Sequence, residues 1–265
     1  MMHRRLAALL LVALPAFALD EYQPAEEGVI AVDVQNGLDW GIGDFDPDGA
    51  LQKPVGSPLT WSPGLQVRLG LPNLTEISLE IPLAVLNKDA LGAKEGDWGF
   101  DQSRLGFKLG IEDWPVAVVG AVSFPLGHTA IVGDEPRWRF LAGGIAHWER
   151  KKFHLDGSVT WTVTPANEDG IRPGDVWELV VRPQVEVDKV FRPYLGGVAR
   201  VTTAGKINDL RDGQMSRLVT LQPGTFVTLD EEWSLELQAP VTVAGDWPET
   251  ATAGIFLGIT YTMAP

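Results

Sequence analysis

The stretch Phe153-His154-Leu155-Asp156-Gly157-Ser158-Val159-Thr160-Trp161-Thr162-Val163 alternates without a break. Phe153, Leu155, Gly157, Val159, Trp161 and Val163 share one parity, and His154, Asp156, Ser158, Thr160 and Thr162 share the other. Successive side chains of an extended backbone point to opposite sides, so this pattern predicts a strand with one apolar and one polar face. The alternation recurs downstream. Trp177, Leu179, Val181, Pro183, Val185 and Val187 oppose Glu178, Val180, Arg182, Gln184 and Glu186. Trp233, Leu235, Leu237, Ala239 and Val241 oppose Ser234, Glu236, Gln238 and Pro240. Ile255, Leu257, Ile259, Tyr261 and Met263 oppose Gly254, Phe256, Gly258, Thr260 and Thr262.

Working outward, twelve strands are expected, the others near residues 29–38, 62–71, 75–85, 102–111, 115–124, 137–148, 192–202 and 217–229. Residues 115–124 are apolar on both faces. Pro183 and Pro240 predict local bulges, because proline cannot donate to a strand ladder. The connections fall into two alternating classes. Tight ones are expected at Pro72-Asn73, Glu112-Asp113-Trp114, residues 149–151, 188–191 and 230–232; long ones at 39–61, 87–101, 125–136, 164–175, 203–216 and 244–251. This asymmetry is that of an up-and-down antiparallel β-barrel crossing an outer membrane, with tight periplasmic turns and longer outer loops. A secreted soluble β-sandwich also alternates, but does not predict every second connection to be long.

Tryptophan placement points the same way. Trp114, Trp148 and Trp233 sit beside the tight turns, while Trp40, Trp61, Trp98, Trp138, Trp161, Trp177 and Trp247 sit near the long loops. Indole rings favour the headgroup level, so two bands are expected, one at each membrane face.

The 265-residue chain is 45% hydrophobic and 21% charged, with no Cys and a formal charge of −14 at pH 7. The composition argues against disorder, the absent thiols exclude disulfides and Cys-ligated metals, and the charge disfavours nucleic acid. One continuous apolar run exists, Leu6 to Phe17, after Arg4 and Arg5 and running into the small-residue site Ala16-Phe17-Ala18. It reads as a secretory signal peptide cleaved after Ala18, leaving residues 19–265 as the barrel domain. Twelve apolar residues fall short of the roughly 20 that span a bilayer as a helix.

On the polar parity lie Arg68, Glu76, Glu80, Arg104, Lys108, Asp156, Glu178, Arg182, Glu186, Arg192, Arg200 and Glu236, the candidate lumen-lining set. Charges of both signs can pair across neighbouring strands, giving either a salt-bridged, partly plugged interior or a polar pathway for a solute. In the long loops carboxylates outnumber Lys and Arg, with Asp39, Asp44, Asp46 and Asp48 in the first. An acidic mouth favours cations. Residues 44–48 only loosely resemble a calcium loop, lacking the spacing and the closing Glu of an EF-hand. Divalent ions bridging these loops to lipopolysaccharide stay open.

Catalytic constellations are weak. His154, Asp156 and Ser158 share a face, but steps of about 6.7 Å leave His and Ser too far apart for a nucleophile and its base. His128 and His147 have no companion at metal-ligand spacing, so no metal, cofactor or enzymatic activity is expected.

The hairpin Val67 to Pro82, VRLGLPNLTEISLEIP, resembles that of the outer-membrane transporter family named after the MetA pathway of phenol degradation, where an Arg and a Gly-Leu precede a tight turn and an acidic-apolar strand follows. Phe124-Pro125-Leu126-Gly127 is similar to that family's apolar-Pro-x-Gly strand end, and Gly99-Phe100-Asp101 to its Gly-rich approach to a Lys-bearing strand. The resemblance implies a Gram-negative, porin-like barrel that passes small or apolar compounds. The expected function is a passive channel or transporter for small solutes, apolar and aromatic ones among them. The alternative is a closed structural or surface-interaction barrel whose acidic outer loops bind a partner. Expected partners are outer-membrane lipid and lipopolysaccharide, the barrel assembly machinery and a small-molecule solute.

Overall fold

In the computed structural model, which describes residues 24–46, 48–53, 59–87, 97–100, 102–125, 137–208, 210–246 and 249–264, the alternating segments form twelve long antiparallel strands. These are β1 (Ile30–Phe45), β2 (Leu59–Leu71), β3 (Thr75–Asn87), β4 (Gln102–Gly110), β5 (Val116–Pro125), β6 (Arg139–Arg150), β7 (Phe153–Val163), β8 (Val176–Val185), β9 (Phe191–Thr202), β10 (Ser216–Thr228), β11 (Trp233–Gln238, continued by Val241–Gly245) and β12 (Thr250–Met263). Each pairs with its neighbour in chain order, and β12 returns to β1 from Ile30↔Met263 to Asp44↔Thr250, closing the sheet into a barrel. Closure leaves no long unpaired edge, which an isolated sheet of this size would otherwise expose. The expected leader up to Ala18, His128 and Trp247 lie outside the described residues.

Several boundaries differ from the sequence-based expectation. β1 runs on to Phe45, past Gly41 and Gly43 where the register with β12 shifts, and Leu51-Gln52 pairs back onto Asp44-Phe45. Asp39 and Asp44 are therefore strand residues rather than loop residues; Asp44 accepts a hydrogen bond from Thr250 Oγ1 at 2.8 Å. Glycines at alternate positions hid this continuation, because they offer no apolar side chain for a periodicity to register. The connection expected to be long at 244–251 is a short one between Gly245 and Thr250, closed by the Glu249 amide donating to the Asp246 carbonyl at 3.0 Å. Pro183 makes no bulge: it stays in register opposite Leu155, and the β8–β9 register is the same on either side of it. Pro240 does interrupt β11, and the Ala239 amide instead donates to the Pro223 carbonyl at 2.9 Å.

The tight turns fall where expected. Asn73 and Leu74 (φ 59° and 54°), Asp113 (65°) and Lys151 (61°) take the left-handed conformation that reverses the chain in a few residues. At the other end, the connections between β7 and β8 and between β9 and β10 are tied together by a separate three-stranded sheet of Ile171–Arg172, Gly205–Ile207 and Leu210–Asp212.

The outward face is apolar. Val34, Leu65, Val67, Leu79, Leu105, Phe107, Val159, Leu179, Leu195 and Ile255 are all exposed along it. Aromatic residues bracket this belt. On the tight-turn side, Trp233 meets Tyr261, ring centroids 4.7 Å apart; on the long-loop side, Trp161 stacks on its register partner Trp177 at 5.7 Å. Trp61 donates from Nε1 to Asn36 Oδ1 at 2.5 Å, which gives its indole N–H a partner while the ring stays outside. Phe153 and Trp161 stand eight residues apart on β7, about 27 Å along the strand and, at a tilt of about 40°, roughly 20 Å along the barrel axis. That is close to the apolar height of an outer-membrane-type barrel, about 25 Å.

Candidate functional site

The inward face is polar and heavily buried. Asp33, Gln35, Gln66, Arg68, Glu76, Glu80, Lys108, Arg182, Gln184, Arg200, Gln222 and Glu236 are each under a tenth exposed. A buried charge needs a partner, and register supplies it. Glu76 stands directly opposite Lys108 (3.5 Å), Glu80 opposite Arg104 (3.6 Å) and Glu178 opposite Arg200 (2.9 Å). Arg68 donates from Nε to Asp33 Oδ2 at 2.9 Å and from Nη2 to Oδ1 at 3.2 Å, while Thr260 Oγ1 donates to the same carboxylate at 2.7 Å. The β2–β1–β12 seam where the barrel closes is thus joined by one carboxylate.

The interior is filled unevenly. Over β2 to β6, Gln66, Glu76, Ser103, Lys108, Val119 and Ile145 are completely buried, and Leu141 packs on the Val119–Ile145 contact. Residues 115–124, apolar on both faces in sequence, thereby place Ala117, Val119 and Ala121 inside the barrel. The segment before β1 contributes as well: the Ala25 amide donates to Glu76 Oε2 at 2.9 Å, and the Gly28 amide to the Gly70 carbonyl at 3.0 Å. A Cβ at Gly70 would lie 1.9 Å from the Glu26 carbonyl oxygen, so only glycine lets the segment cross here.

The opposite arc is hollow. A cavity of about 390 Å³ is lined from β1, β2 and β6 to β12, with Arg68, Arg182, Arg192, Asp156, Glu236 and Phe226 on its wall. Arg182 lies over the Tyr194 ring (4.8 Å to the centroid) and the Phe226 ring (5.6 Å), and reaches Glu236 at 4.0 Å. The Tyr194 hydroxyl donates to Glu236. Arg192 lies 5.4 Å from the Phe226 centroid, with no carboxylate within ion-pair distance among the described residues. Cation–π contact of this kind holds a guanidinium in place while leaving its outer N–H donors available.

The twelve sequence-selected residues divide as follows. Arg68, Glu76, Glu80, Arg104, Lys108, Glu178, Arg182, Arg200 and Glu236 are inward and ion-paired as given above. Asp156 accepts from Gln184 Nε2 and pairs with His147 Nδ1 at 2.5 Å. Glu186 lies just beyond β8, 3.7 Å from His154, and Arg192 is on the cavity wall. Two further parts of the wall join this set, Asp33, which sits on the polar parity with Gln35, and the aromatic pair Tyr194–Phe226, which no alternation signals. His154, Asp156 and Ser158 do share a face, but Asp156 is engaged by His147 and Gln184 instead of by His154.

His147, expected to have no companion at metal-ligand spacing, has two potential donors beside it in space. Its register partner is Asp156, and the next rung pairs Glu149 with His154. His147, Glu149 and His154 each offer a ligand atom, all within 4.8 Å of one another. The outer-loop acids behave differently. Asp46 Oδ1 accepts the amides of Ala50 (2.9 Å) and Asp48 (3.0 Å), and Oδ2 accepts Gln52 Nε2 at 2.8 Å. These donors, Ala50 first, hold the Asp46 carboxyl below the usual carboxylate range. The loosely calcium-like loop is thus a turn capped by its own carboxylate.

An outer membrane channel from Pseudomonas putida F1 is similar over 92% of this chain and 98% of its own length, with a TM-score of 0.77 and 11% identity. The translocator domain of the autotransporter NalP from Neisseria meningitidis is similar over 97% of this chain and 93% of its own (TM-score 0.53, 11% identity). The NanC porin is similar over 87% and 98% (TM-score 0.51, 10% identity). At these identities the likeness is one of fold. No family model matches the chain, and no curated protein matches it in sequence.

Proposed function

We propose that this chain is an outer-membrane barrel, exported by a leader cleaved after Ala18, that acts as a passive channel for small solutes, aromatic ones included. The observation that carries the reading is the cavity inside the barrel, whose wall bears Arg192, Phe226 and Glu236. A barrel needing only stability could fill this space with side chains. The apolar outward belt supports a membrane setting, as does the likeness of fold to outer-membrane channels and porins. The hairpin resembling the phenol-degradation transporter family agrees with a wall that offers both a guanidinium and an aromatic ring.

Purified protein in a planar bilayer, paired with liposome swelling by neutral sugars and by aromatic acids, tests the proposal. Stepwise conductance together with faster swelling in aromatic acids than in sugars of similar size is expected. Absence of both conductance and swelling would overturn it and favour the closed barrel whose outer loops bind a partner.

A further inference from the structure

The structure assigns a second site to the tight-turn end of the same interior. We infer that His147, Glu149 and His154 form a binding site for a borderline divalent transition cation, with zinc the best match to the donors. The β6–β7 hairpin builds it. The turn at residues 151–152 pairs Glu149 with His154 and His147 with Asp156, so side chains on the inward parity of two adjacent strands converge.

Glu149 Oε2 lies between the two imidazoles, 3.8 Å from His147 Nε2 and 3.7 Å from His154 Nδ1. In a tetrahedral zinc site, ligand atoms about 2.0–2.1 Å from the metal stand roughly 3.3 Å apart, so side-chain rotation of modest size closes the set. Two neutral imidazoles and one carboxylate, with an open fourth position, form a recurrent zinc donor set.

The atoms facing away from the focus strengthen the assignment. His147 Nδ1 is 2.5 Å from Asp156 Oδ1, and Gln184 anchors that carboxylate from β8. An Nδ1–H donated to Asp156 leaves the Nε2 lone pair directed at the site, the carboxylate–histidine arrangement that fixes tautomer and ring orientation in metal centres. Behind His154 stands a second carboxylate, Glu186, 3.7 Å from its Nε2. That Nε2 is buried and makes no hydrogen bond among the described residues, in a residue only 7% exposed. A buried imidazole in this condition needs a reason, and a cation drawing Nδ1 toward Glu149 while Glu186 closes on Nε2–H supplies one. His147 and Asp156 also line the cavity, which leaves the fourth position open to water or to a passing solute.

The test uses the full chain, folded in detergent micelles and free of any polyhistidine tag. Zinc chloride is titrated calorimetrically, and cobalt(II) is followed by its visible absorption. One equivalent bound, with cobalt bands of a four-coordinate site containing nitrogen, is the expected result. Glu149→Gln, at a half-exposed position that leaves the fold intact, weakens zinc at least tenfold. Asp156→Asn, acting through His147, weakens it about 10–100-fold. The double variant His147→Gln/His154→Gln binds none. Folding of each variant is checked by its β-type circular dichroism and by the mobility shift between unheated and heated samples. No zinc heat from folded wild-type protein, or binding unchanged in the folded double variant, overturns the assignment. Neither readout depends on conductance, so the channel proposal stands or falls separately.

Discussion

The Ala25 main-chain amide donates to Glu76 Oε2 at 2.9 Å, and the same carboxylate stands 3.5 Å from Lys108 Nζ. A segment outside the barrel's strands is thus fastened to a fully buried ion pair inside it. Removing one partner of such a pair leaves an uncompensated buried charge, at a cost of about 3–5 kcal/mol. Lys108→Met is expected to lower stability by that order in denaturant unfolding from micelles. The double variant Glu76→Gln/Lys108→Met should recover most of the loss, because no charge is then stranded.

Gly70→Ala sets a Cβ 1.9 Å from the Glu26 carbonyl oxygen, a distance no real contact tolerates. The expected outcome is release of residues 24–29 with the strands intact. Limited proteolysis should cut ahead of β1 sooner than in wild type, while heat-modifiable mobility is unchanged. Equal cutting in both proteins would mean the segment has another route.

Lysine on the outward belt separates depth from mere exposure. Leu79 and Leu155 are almost equally exposed, at 39% and 38%. Leu79 lies midway between the aromatic bands, whereas Leu155 is two residues from Phe153 at the tight-turn end. Leu79→Lys should cost about 2–4 kcal/mol, and Leu155→Lys clearly less, because the cost falls toward the interface. Unfolding titrations in lipid vesicles measure both; equal costs would contradict the depths read from the aromatic bands.

Arg192 carries a positive charge on the cavity wall, against the Phe226 ring and with no carboxylate within ion-pair distance among the described residues. Arg192→Glu reverses the local field along the proposed solute path, so reversal potentials under a salt gradient should move toward cation preference. A substitution at Arg200, whose charge is already matched by Glu178, serves as the contrast. An unchanged reversal potential in Arg192→Glu would remove this arc from the conducting path.

Asp46 titrates the outer turn. Its carboxyl is held below the usual value near 3.9 by the amide of Ala50, then by Gln52 and Asp48, with slight burial opposing. For an acid whose pKa is depressed by folding, the contribution is present above the unfolded value and is lost as pH falls through the folded one. The turn should therefore be unchanged from pH 8 to about 5 and loosen only under stronger acid. Amide proton shifts of Asp48 and Ala50 report this directly, and a midpoint at or above 3.9 would contradict the hydrogen bonds described.

Much of the barrel was legible because a closed sheet imposes one rule, period two, on every strand. Phe153 to Val163 states that rule in its cleanest form, and the tight turns kept their places. Gly41 and Gly43 carry no side chain to signal a face, so β1 seemed to stop early. The site was less legible, for a different reason. Parity assigns a residue to a face but does not identify its neighbour on the next strand, so His147 looked solitary although a four-residue turn brings Glu149 opposite His154. Asp33 needed no such register and could have been recognised from Gln35 two positions on.

The lopsided interior has a consequence for how the protein tolerates change. Over β2 to β6 a substitution alters packing, so selection there acts through whether the barrel assembles at all. On the cavity wall, at Arg192 or Phe226, the same substitution borders open space and alters the shape of the hollow. The shape of the hollow can therefore change without renegotiating the architecture held by the fully buried set.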